Sequence, residues 1–126
     1  MEGSVAGFPA EGRVDLVFDC GGKGLVLADL KTGRPRGITA GNMLKEGRLQ
    51  LPFYTALARQ NGYTPVLSAC YIHLEGNGDV TFEETSSGQL DSINDGFEAM
   101  VRETAEKMKS GAFPPEKEKK WRQKRR

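Results

Sequence analysis

The stretch "GLVLADLKTG", Gly24 to Gly33, decides how the chain folds around its candidate site. Its apolar start predicts a strand, yet the strand carries an acid and a base two residues apart, Asp29 and Lys31. Side chains two apart on a strand share a face, so these two charges point the same way. The spacing alone leaves two interpretations open. The charges form a chemical site, or they are solvated on a surface strand and form an ion pair worth under about 1 kcal/mol.

The residues before this strand predict its partner. "RVDLVFDC", residues 13–20, alternates apolar and polar side chains, and the "GGKG" that follows is typical of a hairpin loop. If Cys20 pairs with Gly24, Asp15 lies directly opposite Asp29, whereas an odd register would put them on opposite faces. Opposed side chains have Cβ atoms about 4.5–5.5 Å apart, so the carboxylates would repel each other unless a positive charge lay between them.

A divalent cation would satisfy both carboxylates. In phosphate chemistry Mg²⁺ is typically held by one or two carboxylates, with substrate phosphate and water completing its shell. Lys31 would then lie beside the metal-bound water and the scissile phosphate. This set of groups is the minimum for metal-assisted phosphodiester hydrolysis.

A predicted helix supplies two more polar groups. The segment over residues 43–62 has helical spacing, and Pro52 favours a regular start near Leu49. Gln50 and Tyr54 are four residues apart and therefore share a helix face. A glutamine amide can bridge a phosphate and a bound water, and a tyrosine hydroxyl can donate to phosphate. The alternative is an amphipathic helix in which Tyr54 is simply packed.

The remaining segments complete an α/β (α+β) layout. Strands are predicted over residues 65–74 and 80–84, and a second helix over 86–111. The order strand, strand, helix, strand, strand, helix predicts a small mixed sheet of about four strands flanked by helices. His73 is the single histidine, and a lone strand histidine is usually structural. Glu83 and Glu84 are expected to be solvated, and Arg34 and Arg36 are candidate phosphate contacts.

Composition excludes several classes of protein. The 126 residues suit one domain, no run of 18 apolar residues predicts a membrane span, and the N-terminal residues do not resemble a signal peptide. Cys20 and Cys70 are too few for a disulfide framework or a four-cysteine metal site, and both are expected to be small buried residues. We therefore expect a cytoplasmic protein.

The last eleven residues, 116–126, carry seven basic and two acidic side chains. A basic tail of this kind is a candidate nucleic-acid contact. The alternative is a solvated helix end.

Together, "GRVD" (12–15), "ADLKTG" (28–33) and "LQLPFY" (49–54) resemble the RecB-like branch of the PD-(D/E)XK nuclease superfamily, over roughly residues 11–115. The resemblance implies a restriction-endonuclease-like fold. It implies that Asp15, Asp29 and the Leu30 backbone carbonyl bind Mg²⁺ or Mn²⁺, and that Lys31 is the catalytic lysine. Gln50 and Tyr54 would line the DNA side of the site.

The sequence departs from this pattern in two places. Relatives carry a further acidic or histidine motif on a helix upstream of the first strand, and residues 1–13 are too rich in Gly, Ala and Pro to form that helix. Many relatives also bind an iron–sulfur cluster through C-terminal cysteines, which the residues after "GAFPP" lack, so no cluster is expected. The prediction is a nuclease domain over 1–115 without its N-terminal helix, followed by a basic tail over 116–126.

Three functions follow as hypotheses. The first is a metal-dependent DNA nuclease, an exonuclease of recombination or repair that acts with a helicase. The second is a catalytically incomplete nuclease-fold module that binds DNA or a helicase partner. The third is a structural or interaction domain with a basic tail. Oligomeric state is left open, and no membrane association is expected.

Overall fold

The computed structural model describes residues 1–109, so the basic tail over 116–126 lies outside the described residues. A short 3₁₀ turn over Gly21–Lys23 joins β3 to β4. The other elements, in chain order, are β1 (Glu2–Val5), β2 (Phe8–Glu11), β3 (Leu16–Asp19), β4 (Leu25–Thr32), α1 (Gln50–Gln60), β5 (Val66–Leu74), β6 (Val80–Ser86), α2 (Ser87–Ser92) and α3 (Asn94–Lys109).

A mixed four-stranded sheet forms the centre of the fold. Its strand order is β3-β4-β5-β6, with β4 and β5 parallel and the two outer pairs antiparallel. Helices pack against it, so the predicted sheet and its helical cover are confirmed. The β3–β4 register pairs Leu16 with Ala28, which is the register that places Asp15 opposite Asp29. The strand itself begins one residue after Asp15.

Gly24 lets the β3–β4 hairpin close against the neighbouring strand. Its φ of 135° lies in a region that side chains rarely adopt. A Cβ there would also lie 2.6 Å from the Pro65 carbonyl oxygen. The adjacent Leu25 N–H donates to that same oxygen at 2.9 Å. The glycine therefore lets the hairpin dock on the start of β5.

The N-terminal residues form a hairpin that the sequence analysis did not predict. Strands β1 and β2 pair antiparallel, and Val5 lies opposite Phe8. The two residues between them, Ala6 and Gly7, have φ of 52° and 85°, as a type I′ turn requires. The Gln60 side chain of α1 accepts from the Ser4 N–H at 2.8 Å and donates to the Ser4 carbonyl at 2.6 Å.

The helices agree with the sequence except at one break. Helix α1 begins at Gln50, with Pro52 in its first turn, where proline is tolerated. The second predicted helix is divided at Ile93 into α2 and α3. The break lets Leu90 of α2 pack on the sheet while Phe97 of α3 packs against Leu57 of α1. Across residues 1–109, none of the helices has the length and apolar character to cross a membrane.

The two faces of the sheet are buried differently. On one face, Leu27, Ala69 and Tyr71 pack with residues of α1 and α2. On the other face, the buried residues Ala28, Cys70 and Ile72 form a cluster with the strand residue Val26. Large apolar side chains on this second face remain substantially exposed, among them Leu16, Phe18, Leu30, Leu74, Val80 and Phe82. The described helices therefore cover the face that carries Asp29.

One cysteine prediction is wrong and one is confirmed. Cys70 is buried, as expected, but Cys20 is exposed. Cys20 follows β3, whose four residues are all exposed because β3 is an edge strand beyond the reach of the helices. Both thiols are free.

Candidate active site

Two carboxyl groups meet where β3 and β4 come together. Asp29 is buried within β4, with 5% of its surface exposed, whereas Asp15 is exposed just before β3. The backbone N–H of Leu30 donates to Asp15 Oδ2 at 2.9 Å, and the Asp15 and Asp29 carboxyl groups lie close enough to shift each other's pKa. The hairpin register thus produces the pair that the sequence predicts.

The two carboxyl groups differ in acidity. The Leu30 N–H, and then the hydrogen bond from Asp29, hold the pKa of Asp15 below its usual value. Burial, and then the hydrogen bond with Asp15, raise the pKa of Asp29, although Lys31 opposes the shift. The pKa values of the two groups are thus shifted in opposite directions, and Asp29 is the more weakly acidic of the two.

Lys31 lies beside Asp29, as the strand period predicts. Its Nζ atom is 3.0 Å from Asp29 Oδ2 and 5.7 Å from the centre of the Tyr71 ring. About 30% of the Lys31 side chain remains exposed, so the ammonium group is open to an incoming ligand. The contacts with the Asp29 carboxylate and with the face of the Tyr71 ring fix the position of the ammonium group.

Helix α1 brings Gln50 and Tyr54 to the same place. Gln50 Oε1 accepts a hydrogen bond from the Tyr71 hydroxyl at 2.9 Å. Burial raises the pKa of Tyr54, and the nearby charges of Asp29 and Asp15 raise it further. The structure therefore gathers all five predicted side chains into one cluster. For Leu30 it shows the N–H engaged with Asp15, and a role for its carbonyl stays a prediction.

Comparison with known families adds to this geometry. A family model described as the PD-(D/E)XK nuclease superfamily matches residues 4–123. The chain belongs to the PD-(D/E)XK nuclease superfamily. Searches of curated proteins and of solved structures returned no significant match.

Nucleases of the PD-(D/E)XK superfamily generally use divalent metal ions such as Mg²⁺. Within residues 1–109, no group of three or more His, Cys, Asp or Glu side chains is placed to hold a metal ion. Asp15 and Asp29 supply two carboxylates, and Mg²⁺ commonly binds through one or two carboxylates together with waters and substrate oxygens. The donor set therefore fits the metal that the superfamily uses.

Tyr71 belongs to the same cluster of side chains but was not predicted as a member. It lies opposite Asp29 in the parallel β4–β5 register and is 2% exposed. Burial raises its pKa strongly, so it remains a neutral phenol that donates to Gln50. The only sequence signal was its position two residues from His73 on one strand face. The parallel pairing that brings it to Asp29 is not encoded in either strand alone.

His73 and Glu83 form a buried pair beside Lys31. His73 lies opposite Lys31 in the sheet, and its Nε2 is 2.5 Å from Glu83 Oε1. Glu83 Oε2 accepts from the Ile38 N–H at 3.0 Å, which ties the loop after β4 to β6. The expectation that Glu83 is solvated is wrong, because its side chain is only 11% exposed. Its position in β6 turns it toward the helix-covered face, whereas Glu84 points the other way and is exposed.

The burial of Asp29 predicts a gain in stability when its charge is removed. The folded-state pKa of Asp29 lies above its unfolded value, so its ionisation above that pKa weakens the folded state. We expect Asp29→Asn to raise the melting temperature of the metal-free protein at neutral pH. The gain should shrink as the pH falls through the folded pKa of Asp29. Thermal unfolding in EDTA across a pH series measures it.

Asp15→Asn is the matched control for this prediction. The pKa of Asp15 is lowered in the folded state, so its ionised form stabilises the fold above the unfolded pKa. The same chemical change should therefore lower the melting temperature at neutral pH, and this loss should disappear in acid. Shifts of equal sign for the two variants would contradict the opposite pKa shifts of the two carboxyl groups.

Proposed function

We propose that this chain is a metal-dependent deoxyribonuclease domain of the RecB-like exonuclease type, which hydrolyses phosphodiester bonds in DNA recombination or repair. One observation carries the proposal. Asp15, Asp29 and Lys31 converge at the β3–β4 edge of one sheet face, with Lys31 Nζ 3.0 Å from Asp29. Membership in the nuclease superfamily supports hydrolysis as the reaction.

The roles of the residues follow from their positions. Asp15, Asp29 and the Leu30 carbonyl would hold Mg²⁺ or Mn²⁺, which when bound lowers the pKa of water and withdraws charge from phosphate oxygens. Lys31, fixed by Asp29, directs its ammonium group at the phosphate or at the attacking water. In the reaction the water oxygen would bond to phosphorus and give up a proton to solvent, the bond from phosphorus to the leaving sugar oxygen would break, and that oxygen would take up a proton.

Helix α1 would contribute the substrate side of the site. Tyr54 remains protonated because burial and the two carboxylates raise the pKa of its hydroxyl, so it can donate to a phosphate oxygen. Gln50 is oriented by Tyr71, which leaves its amide NH₂ to donate to a phosphate or a water. Both side chains thus position the DNA strand and do not react with it.

A second function is favoured by one specific observation. Within the described residues the site offers two carboxylates and no third His, Cys, Asp or Glu ligand. A site with few ligands holds its metal weakly, so the alternative is a nuclease-fold module that binds DNA or a helicase partner without cutting.

A cleavage assay separates the two functions. Wild-type protein and Asp29→Ala are incubated with linear and circular DNA in Mg²⁺ and in Mn²⁺. We expect loss of linear DNA by the wild type, intact circles, and no cleavage by Asp29→Ala. Asp95→Ala is the control, because Asp95 is an exposed acid in the first turn of α3.

The other outcomes of this assay are equally informative. Cleavage of circular DNA would show that the protein acts as an endonuclease and not as an exonuclease. Unchanged cleavage by Asp29→Ala would refute the site. Salt-sensitive DNA binding without cleavage in either metal would establish the binding module instead.

A further inference from the structure

A cavity of about 90 Å³ opens beside Lys31, on the side of β5 and β6. It exceeds several-fold the roughly 10–15 Å³ that a single water requires. We name it the arginine pocket, after the residue type that dominates its wall. The charged and titratable side chains that line it are Lys31, Arg34, Arg36, Arg48, Tyr71, His73 and Glu83.

The charges in this pocket are unbalanced. Lys31 pairs with Asp29, and Glu83 is occupied by His73 and by the Ile38 N–H. Among residues 1–109, no ion pair involves Arg34, Arg36 or Arg48. Three arginine side chains therefore line a concave space, and within residues 1–109 none of them is paired with a carboxylate. Such an arrangement favours the binding of an anion in that space, because the positive charges of the arginines repel one another until an anion binds between them.

The wall of the pocket is anchored at several points. Ile38 is tied to Glu83, and within the same loop Asn42 accepts from the Thr39 N–H at 2.8 Å and donates to the Gly37 carbonyl at 3.0 Å. Arg48 lies close enough to Tyr71 for its charge to act on the phenol. The arginines thus lie on a loop that is hydrogen-bonded to the sheet beside the candidate active site.

We propose that the arginine pocket binds a phosphate group of the DNA strand next to the phosphate that is cut. Arginine suits this ligand, because the planar guanidinium donates two parallel hydrogen bonds to phosphate oxygens. Lys31 lies at the boundary between the pocket and the two carboxylates. A DNA strand that passes through the candidate active site therefore enters the pocket. This assignment of the neighbouring phosphate rests on the proposed nuclease function.

The test measures binding, not cleavage. Affinity for a fluorescent single-stranded oligonucleotide is measured by anisotropy in EDTA, over a series of salt concentrations. Arg48→Gln should weaken binding by a factor of about ten or more, because a factor of ten is about 1.4 kcal/mol, which is close to the smallest contribution of a hydrogen bond to a charged group. It should also reduce the slope of log K against log salt by about 0.7, the value for one phosphate contact on a single strand.

Arg102→Gln is the matched control, since it removes the same charge from an exposed position on α3. Equal affinities for the two variants, or no DNA binding by the wild-type protein, would overturn the proposal. Melting temperatures of both variants show whether a loss of affinity comes from unfolding. If Arg48→Gln and Arg36→Gln both destabilised the protein, competition by inorganic phosphate against DNA on the wild type would decide, and absence of competition would count against the pocket.

The source of the phosphate is resolved by the choice of oligonucleotide. Strands with 5′-phosphate, 3′-phosphate or hydroxyl ends are compared with a closed single-stranded circle. If Arg48→Gln loses affinity only for strands with one kind of phosphorylated end, the pocket binds a terminal phosphate. If it also loses affinity for the circle, the pocket binds an internal phosphate. Either result supports the pocket. If the wild type cleaves DNA and Arg48→Gln binds DNA normally, the pocket is rejected and the nuclease function is kept. If Arg48→Gln loses affinity but the wild type does not cleave DNA, the pocket is kept and the nuclease function is rejected.

Discussion

Replacement of Lys31 by alanine is expected to lower the rate of DNA cleavage by about 10²–10⁴-fold, the range typical of a lost general acid–base group. The ammonium group lies 3.0 Å from Asp29 and borders both the carboxylates and the arginine pocket. The alanine variant leaves no positive group in that position to orient water or to balance charge on the phosphate. Single-turnover cleavage of linear DNA at saturating metal measures the loss.

Two further variants sharpen this prediction. Lys45→Ala removes an exposed lysine from the loop before α1 and should cleave at the wild-type rate. Lys31→Arg keeps the positive charge but cannot lose a proton at working pH. If it recovers most of the rate, Lys31 acts by electrostatics, and if it is as slow as alanine, Lys31 transfers a proton. A Lys31→Ala variant as fast as Lys45→Ala would refute a catalytic lysine at this position.

Glu83→Ala is expected to lower the free energy of unfolding by on the order of 3 kcal/mol, because it breaks a buried polar pair. His73 is 5% exposed, and its Nδ1 atom has no hydrogen-bond partner in the described part of the chain. Loss of Glu83 would leave both ring nitrogens without a partner and would release the Ile38 N–H. Urea unfolding gives the change in free energy.

Glu46→Ala is the control for this change, since Glu46 is an exposed glutamate in the loop that Glu83 anchors. It should alter stability by less than about 0.5 kcal/mol, as most surface substitutions do. Glu83→Gln keeps an acceptor oxygen and should retain part of the lost stability. Equal stabilities of Glu83→Ala and Glu46→Ala would show that the buried pair contributes little to the fold.

The sequence predicted those features that depend on short-range pattern. The even register that brings Asp15 opposite Asp29 followed from a three-residue hairpin loop, and the shared face of Gln50 and Tyr54 followed from helical spacing. The hairpin over residues 2–11 was missed because its turn rests on Ala6, a residue with φ above zero that lacks the usual Asn or Asp signal.

Features that depend on pairing between distant strands were not predictable. Tyr71 reaches Asp29 only through the parallel β4–β5 ladder, and Glu83 is buried only because β6 turns it toward His73. Cys20 looked like a core residue because its strand alternates, yet alternation cannot tell an edge strand from a covered one. The sequence thus predicted which side chains meet in the candidate site, whereas the placement of Tyr71 and Glu83 beside them depends on how distant strands pair.

The position of Asp15 beside a short, fully exposed edge strand has a consequence for exchange with solvent. Strand β3 spans four residues and bonds to β4 alone, so its amide hydrogens should exchange through local opening rather than through global unfolding. Each such opening carries Asp15 away from Asp29. If Asp15 and Asp29 hold a divalent cation, as proposed, its binding would slow exchange at Leu16 to Asp19. It would change exchange little in β5, whose amides lie in the middle of the sheet. Deuterium uptake along this one strand would then report metal occupancy directly, without any DNA present.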